Sequence, residues 1–342
     1  MSKASSRQFR VALIGTNSLR AQEIREQLAS GLIPLKSIEF YDPGVEEEYS
    51  QLTEFQGEAK VIHHPDTHLL EGLDLVFLAA DQETNLKFGQ LAKDKGYLAI
   101  DLAGSFAGRP QVPAVVAGVN DRILNDKKIA LVANPHPVSI VITQVLSALA
   151  SLAPVLRSLA VVLQPVSAYE QAGIEELAEE SFTLLSSGNY ERKIFPEQMA
   201  FNSFPLTDKA APAGHSLKEK QVEQEIKGIL AGQNISFSLS IVQVPVFHGY
   251  SLMVYTELAE NRTLSEVESV FKKNRLFRYF PPNSSQLISN KLVAGENEIF
   301  VGHLRRDSDQ PGSFWLWVAA DNLTAGSAVN ALAVARKMLG LG

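Results

Sequence analysis

In the first third of the chain, short apolar runs alternate with segments of helical period. Phe9–Ile14 is almost continuously apolar and stops at Gly15, the pattern of a strand buried on both faces. A helix is predicted from about Ala21 to Ala29, where Ile24 and Leu28 lie four apart on one face. Ile38–Tyr41 predicts a second strand, closed by the turn Asp42-Pro43-Gly44. Leu73–Leu78, Leu98–Leu102 and Lys128–Val132 predict further strands, with an amphipathic helix around Asn85–Lys95 between the first two. Such alternation implies an α/β fold with a doubly wound, Rossmann-like parallel sheet.

From about residue 134 the pattern changes. Helical segments near Ser139–Ser151, Ile174–Leu185 and Lys218–Leu230 are interspersed with the strands Leu159–Leu163, Ile235–Val242, Ser251–Leu258, Glu298–Leu304 and Ser313–Ala319. Ile235–Val242 alternates apolar and small polar residues, as a strand does when one face is buried and the other is solvated or packs on another subunit. Ser186–Asn189 and Ala210–Gly214 read as loops, and a last helix is expected over about Ala325–Leu339, ending at Gly340. This second texture predicts an α+β domain.

Composition narrows the function. With 342 residues, 45% of them hydrophobic, the chain has material for two domains. Lys and Arg number 31 and Asp and Glu 38, so the formal charge is 31 − 38 = −7, which argues against a nucleic-acid partner. No apolar run approaches the roughly 18–20 residues of a membrane span. The first ten residues lack the apolar core of a signal peptide, so a cytoplasmic protein is expected. Cysteine is absent, which removes disulfides, thiolate metal sites and thiolate nucleophiles together.

Three segments carry candidate chemistry. The turn Gly15-Thr16-Asn17-Ser18-Leu19-Arg20-Ala21 sits where a dinucleotide fingerprint belongs, yet only Gly15 matches, with Ser18 and Ala21 in the later glycine positions. Ser18 adds a Cβ and a hydroxyl where a diphosphate would lie. Asp42 reads either as an NAD-style ribose contact or as a turn former before Pro-Gly. His63, His64, Asp66 and His68 have some metal-ligand character but read better as a solvated loop, and His215 and His303 read as ordinary exposed or satisfied histidines. In Asn134-Pro135-His136-Pro137-Val138-Ser139, at a helix start, Ser139 is either a helix cap or a nucleophile with His136 as base.

Several segments in order resemble the aspartate-semialdehyde dehydrogenase family, and within it the USG-1 protein homologues. They are Asp101–Phe106 with Val112–Asn120, Asn134–Pro137, Gln164–Ser167, Val244–Ser251, Phe300–Asp307 and Asp321–Gly326. The resemblance implies a Rossmann-like domain of residues 1–133 and 322–342, and an α+β substrate and dimerisation domain of residues 134–321. It further implies a homodimer, or pairing with a family enzyme, and a small-molecule ligand. The family's reaction is reductive dephosphorylation of aspartyl phosphate with NADPH, through a Cys nucleophile, a His acid/base and substrate-holding arginines.

Carried over by position, the resemblance puts Pro137 at the nucleophile and His136 just before it. Tyr250 stands at the acid/base, Gln243 at the carboxylate-binding Arg, and Ala107 at the phosphate-binding Arg, with Arg109 close by. Gln164 matches the substrate-positioning Gln, Glu225 the substrate-side Glu, and Gly228 stands where a Lys is expected. Cofactor contacts fall on Gly15, Asn17, Ser18, Ser105 and Asn322, with NADP or NAD binding weakened or absent. The expectation is a pseudoenzyme, binding or scaffold protein. The alternative is an NAD(P)-dependent oxidoreductase that reduces another carbonyl by direct hydride transfer, with Tyr250 as acid.

Overall fold

The computed structural model describes residues 7–46, 51–68, 70–206 and 216–341, and divides into two compact units. The first comprises residues up to Pro135 together with Ser327 onward, and the second runs from His136 to Gly326. Residues 322–326 thus belong with the second unit, not with the Rossmann-like domain as expected. His215 and the Ala210–Gly214 loop lie outside the described residues, as do the first six positions.

The first unit contains β1 (Phe9–Ile14), α1 (Leu19–Ala29), β2 (Leu35–Tyr41), β3 (Gln51–Phe55), β4 (Glu58–His63), β5 (Leu75–Leu78), α2 (Gln82–Lys95), β6 (Leu98–Asp101) and β7 (Leu131–Ala133). Its sheet has the order β3-β4-β2-β1-β5-β6-β7, parallel except for β3 against β4. Residues along β1 alternate between two cores. Val11 and Leu13 join Ile24 and Leu28 of α1 and Leu332 of the C-terminal helix Val329–Met338, whereas Ala12 and Ile14 join Phe88 of α2 and Phe106. Burial on both faces is why the run is apolar without alternation.

The hairpin β3–β4 has no counterpart among the predicted strands. Its residues are largely exposed and polar, so no apolar run announces it. The turn Gln56-Gly57 takes positive φ at both positions, 52° and 80°, which matches the twist of the flanking strands. His63 ends β4 with an exposed side chain, and no group of three or more His, Asp or Glu among the described residues could hold a metal.

The second unit contains α3 (Pro137–Ala150), β8 (Val155–Gln164), α4 (Glu170–Leu185), β9 (Phe204–Pro205), α5 (Leu217–Ile229), β10 (Ser236–Gln243), β11 (Tyr250–Leu258), α6 (Leu264–Lys273), β12 (Phe277–Tyr279), β13 (Ile299–Arg306) and β14 (Ser313–Ala320). Its sheet has the mixed order β12-β13-β14-β11-β8-β10-β9. Helices α3, α5 and α6 pack on it, and β10 alternates exposed serines with buried Phe237, Leu239 and Ile241. The other face leaves Leu159 and Val161 of β8 about two-fifths exposed, at 36% and 40%. Helix α6 and β12 were not predicted, although the capping box of Thr263 and Glu266 was legible. Buried Glu176 and Glu180 of α4 accept backbone N–H bonds from Lys193, Ile194 and Phe195 and from Met199 and Ala200, which folds that loop onto the helix.

Among the described residues, no helix is long and apolar enough to cross a membrane.

Candidate functional site

In the first unit the topological switch falls between β1 and β5, the position at which open α/β sheets bind ligands beyond their carboxyl ends. Gly15 follows β1 there with φ +88°, and a Cβ on it would lie 2.6 Å from the Ala79 carbonyl oxygen. Glycine is therefore required by backbone packing against the end of β5, with or without a nucleotide.

The amides of this turn are engaged internally. Gly15 and Thr16 N–H both donate to the Tyr41 carbonyl, at 2.8 and 3.2 Å, and Ser18 N–H donates to the Gly15 carbonyl at 3.1 Å. Asn17 N–H donates to the Asp42 carboxylate at 3.0 Å, and the second Asp42 oxygen accepts Gly44 N–H. The Ser18 hydroxyl caps α1 by accepting Ala21 N–H, and it donates to the Gly15 carbonyl. A dinucleotide needs such amides turned toward its diphosphate. Here the Asp42 carboxylate holds one of them, the Asn17 amide.

Two further positions from the sequence lie in this unit. Ser105 Oγ accepts from Asn85 Nδ2 at 3.0 Å, while Asn85 also pairs with both the N–H and C=O of Ala80. Asn85, fully buried on α2, is thus a missed organiser of the switch-point loops. Asp101, also fully buried, accepts N–H bonds from Ala103 and Phe106, and burial pushes its carboxyl up to about 6. Ala107 follows in that loop. Arg109 stacks over the Phe106 ring, 5.4 Å from its centroid.

The second unit gathers most of the other candidates around the start of α3. Proline is favoured at the first helical position because it lacks the N–H that would be unsatisfied there. The helix accordingly opens at Pro137, and the cap is His136, whose Nδ1 accepts Val138 N–H at 3.3 Å. Ser139 is therefore not the cap. Its hydroxyl donates to Glu225 Oε2 at 2.6 Å, and the same oxygen accepts His136 N–H at 2.9 Å. Gln221, one turn earlier on α5, donates to the other Glu225 oxygen. The Ser139 hydroxyl thus donates its hydrogen bond to Glu225, while His136 Nδ1 accepts Val138 N–H. A carboxylate at a helix N-terminus is favoured by the aligned peptide dipoles.

Beside this start lies a neutral network. Gln164 and Gln243 are register partners on the parallel strands β8 and β10. Gln164 Nε2 donates to Gln243 Oε1 at 2.9 Å, Gln243 Nε2 returns a bond to the Gln164 carbonyl, and Tyr250 O–H donates to Gln164 Oε1 at 3.1 Å. All three side chains are at most 4% exposed. The Tyr250 ring meets the His136 ring edge-on, with centroids 5.8 Å apart. Asn322 Oδ1 accepts from Ser167 and from Gly249 N–H, so it shapes the turn that delivers Tyr250. Gly228 leaves open space where the expected Lys would stand.

Residues 10–127 match the semialdehyde dehydrogenase NAD binding domain, and residues 146–325 match the semialdehyde dehydrogenase dimerisation domain. The chain belongs to the semialdehyde dehydrogenase family. An aspartate-semialdehyde dehydrogenase from Rickettsia bellii is 26% identical over 336 residues, covering 98% of both chains. One from Synechocystis is 26% identical over 332 residues, covering 97% of both. Aspartate semialdehyde dehydrogenase II from Vibrio cholerae shares the fold with a TM-score of 0.91 at 24% identity, covering 98% of this chain and 99% of that one. The Candida albicans enzyme with NADP gives 0.70 at 15% identity, covering 98% of this chain and 100% of that one. The chain therefore has the semialdehyde dehydrogenase fold, with two mixed sheets. The bonds from Asp42 and Asn85 to switch-point backbone were not legible beforehand. Asp42 signalled only a turn, and Asn85 is one polar residue on an amphipathic helix.

Proposed function

We propose that this chain is a semialdehyde dehydrogenase homologue of the USG-1 type that does not perform the family's covalent chemistry and works as a binding or scaffold protein. The observation that carries this reading is Pro137 at the opening of α3. Its ring nitrogen is an amide without N–H or free electron pair, and the chain contains no cysteine to replace a thiolate. Loss of the nucleophile from a comparable catalytic pair costs on the order of 10⁶ in rate. Gln243 is neutral where an anion would need a charged fork, and its amide is already bonded to Gln164. Tyr250 is a phenol where the family has an imidazole, and its O–H is already committed to Gln164 Oε1.

The reading extends to assembly. The open face of the second sheet, bearing Leu159 and Val161, is the surface through which the chain would form a homodimer or pair with a family enzyme, in keeping with the dimerisation-domain match. Light scattering should give a dimer mass, reduced to a monomer by Val161→Glu. NADP or NAD would bind weakly or not at all.

The decisive assay is phosphate-dependent oxidation of aspartate semialdehyde with NADP. No turnover above background is expected, and ordinary enzyme rates would overturn the reading. Pro137→Cys with Tyr250→His should stay inactive unless Gln243 and Ala107 also become Arg. A second reading rests on the NAD-binding-domain match: direct hydride transfer to another carbonyl, with Tyr250 as acid, needs no thiol. Submicromolar NADPH binding by fluorescence would favour it, and no response at millimolar NADPH would remove it.

A further inference from the structure

The first unit holds a cavity of about 300 Å³ that none of the roles above uses. It opens where α2 packs on the sheet beside β7, the edge strand. The connection from β6 to β7 places its short helical turn, Asp121–Asn125, in the opposite core through Leu124, so no crossover helix covers β7 on the α2 side. The cleft is the space that such a helix would fill. Its floor is apolar, made by Ala92, Phe106, Val112 and Leu131. Gly89 lets α2 approach that floor, since a Cβ on it would lie 2.5 Å from the Phe106 ring.

The rim has the opposite character. Lys93, Arg109 and Lys128 line the cavity, and no Asp or Glu does, in a chain whose net charge is −7. None of the three cations forms an ion pair with a described residue, and Arg109 lies over the floor ring Phe106. Three like charges around one opening repel each other, and an anion at the centre relieves that repulsion while an apolar body covers the floor. We infer that this cleft binds a small organic monocarboxylate with an aromatic or branched apolar body. The volume lies at the lower end of small-molecule sites and admits one such body, not a dinucleotide.

The test uses the full-length protein and 4-fluorobenzoate, followed by fluorine NMR line broadening, with 4-fluorobenzamide as the uncharged counterpart of equal shape. Saturable broadening by the carboxylate is expected, with the amide at least about tenfold weaker. Lys93→Glu with Lys128→Glu, both at exposed positions, should abolish the carboxylate signal. If that pair does not fold, Lys93→Gln with Lys128→Gln should still weaken binding at least about fivefold. No broadening at about 10 mM carboxylate, equal binding of the amide, or charge variants that bind like the parent would each overturn the inference. NADPH binding and turnover of aspartate semialdehyde are separate measurements, so this outcome stands apart from the fate of the proposed function.

Discussion

Two helix starts in this protein are built on the same principle with different parts. At α1, the Gly15–Ser18 turn is closed by Ser18 and by Asp42, a residue of the neighbouring Asp-Pro-Gly turn. At α3, the opening is closed by His136 and by Glu225, which reaches across from α5, 89 positions away in the chain. Each start presents backbone donors of the kind that hold anions, and each offers them to a carboxylate of its own chain. The first closure is local backbone geometry. The second depends on α5 packing against α3, with Gln221 holding the Glu225 carboxylate in place along its own helix.

The comparison breaks first at Gly15. Gly15→Ala should destabilise the fold by about 4 kcal/mol or prevent folding, read by urea denaturation, because the new Cβ meets the backbone of Ala79 at a left-handed position. Ser18→Gly leaves that backbone intact and separates the glycine's packing role from any nucleotide role.

At Asp101, a carboxylate with no exposed surface, burial outweighs the hydrogen bonds it accepts. Its folded pKa of about 6 is raised above the unfolded value near 3.9. Its contribution to stability is therefore present below about pH 4 and is lost as pH rises through 6, amounting to about 3 kcal/mol. Asp101→Asn should flatten the pH dependence of unfolding across that window.

Glu225→Ala strips partners from His136 N–H and the Ser139 hydroxyl, at a cost of about 2 kcal/mol in unfolding free energy. Glu225→Gln, which can still accept both bonds, should recover more than half of that loss. The smallest stability effect is expected at the first start. Asp42→Ala should cost about 1 kcal/mol, since solvent reaches the freed Asn17 amide more readily. Combined with Ser18→Gly it should raise NADPH affinity at least about tenfold, measured by fluorescence titration. An unchanged affinity would mean that the internal carboxylate is not what closes the turn.

Much of the first unit was legible in sequence because its strands are buried on both faces. Phe9–Ile14 was predicted with both ends as found, and Leu98–Leu102 ends one residue earlier, at Asp101. Leu73–Leu78 begins two residues later, since Leu73 and Asp74 precede the pairing with β1. The expected Lys128–Val132 strand shifts to Leu131–Ala133, because Lys128–Ala130 line the cleft at the edge instead. The hairpin β3–β4 escaped notice for the converse reason, having too little buried surface to leave a pattern.

At the candidate site, Pro137, Gln164, Gln243 and Tyr250 could be aligned by motif, but nothing in their spacing reveals that Gln164 bonds both others. Nor does the pattern around Ser139 distinguish a capping hydroxyl from one held by Glu225. Local propensity favours Ser at a cap, and it lost to Pro137, which set the helix start two residues earlier.

The amino-acid sequence by itself determined the first unit's strand–helix alternation, the second unit's one-sided sheet and the absence of any thiol, because periodicity and composition depend on no partner residue. Only the tertiary structure decided which carboxylate lies on which helix start, how the two glutamines lock Tyr250, and that a cleft with a basic rim remains beside β7. Those are outcomes of side chains meeting across long sequence separations, where hydrogen-bond geometry selects a partner that no local pattern encodes.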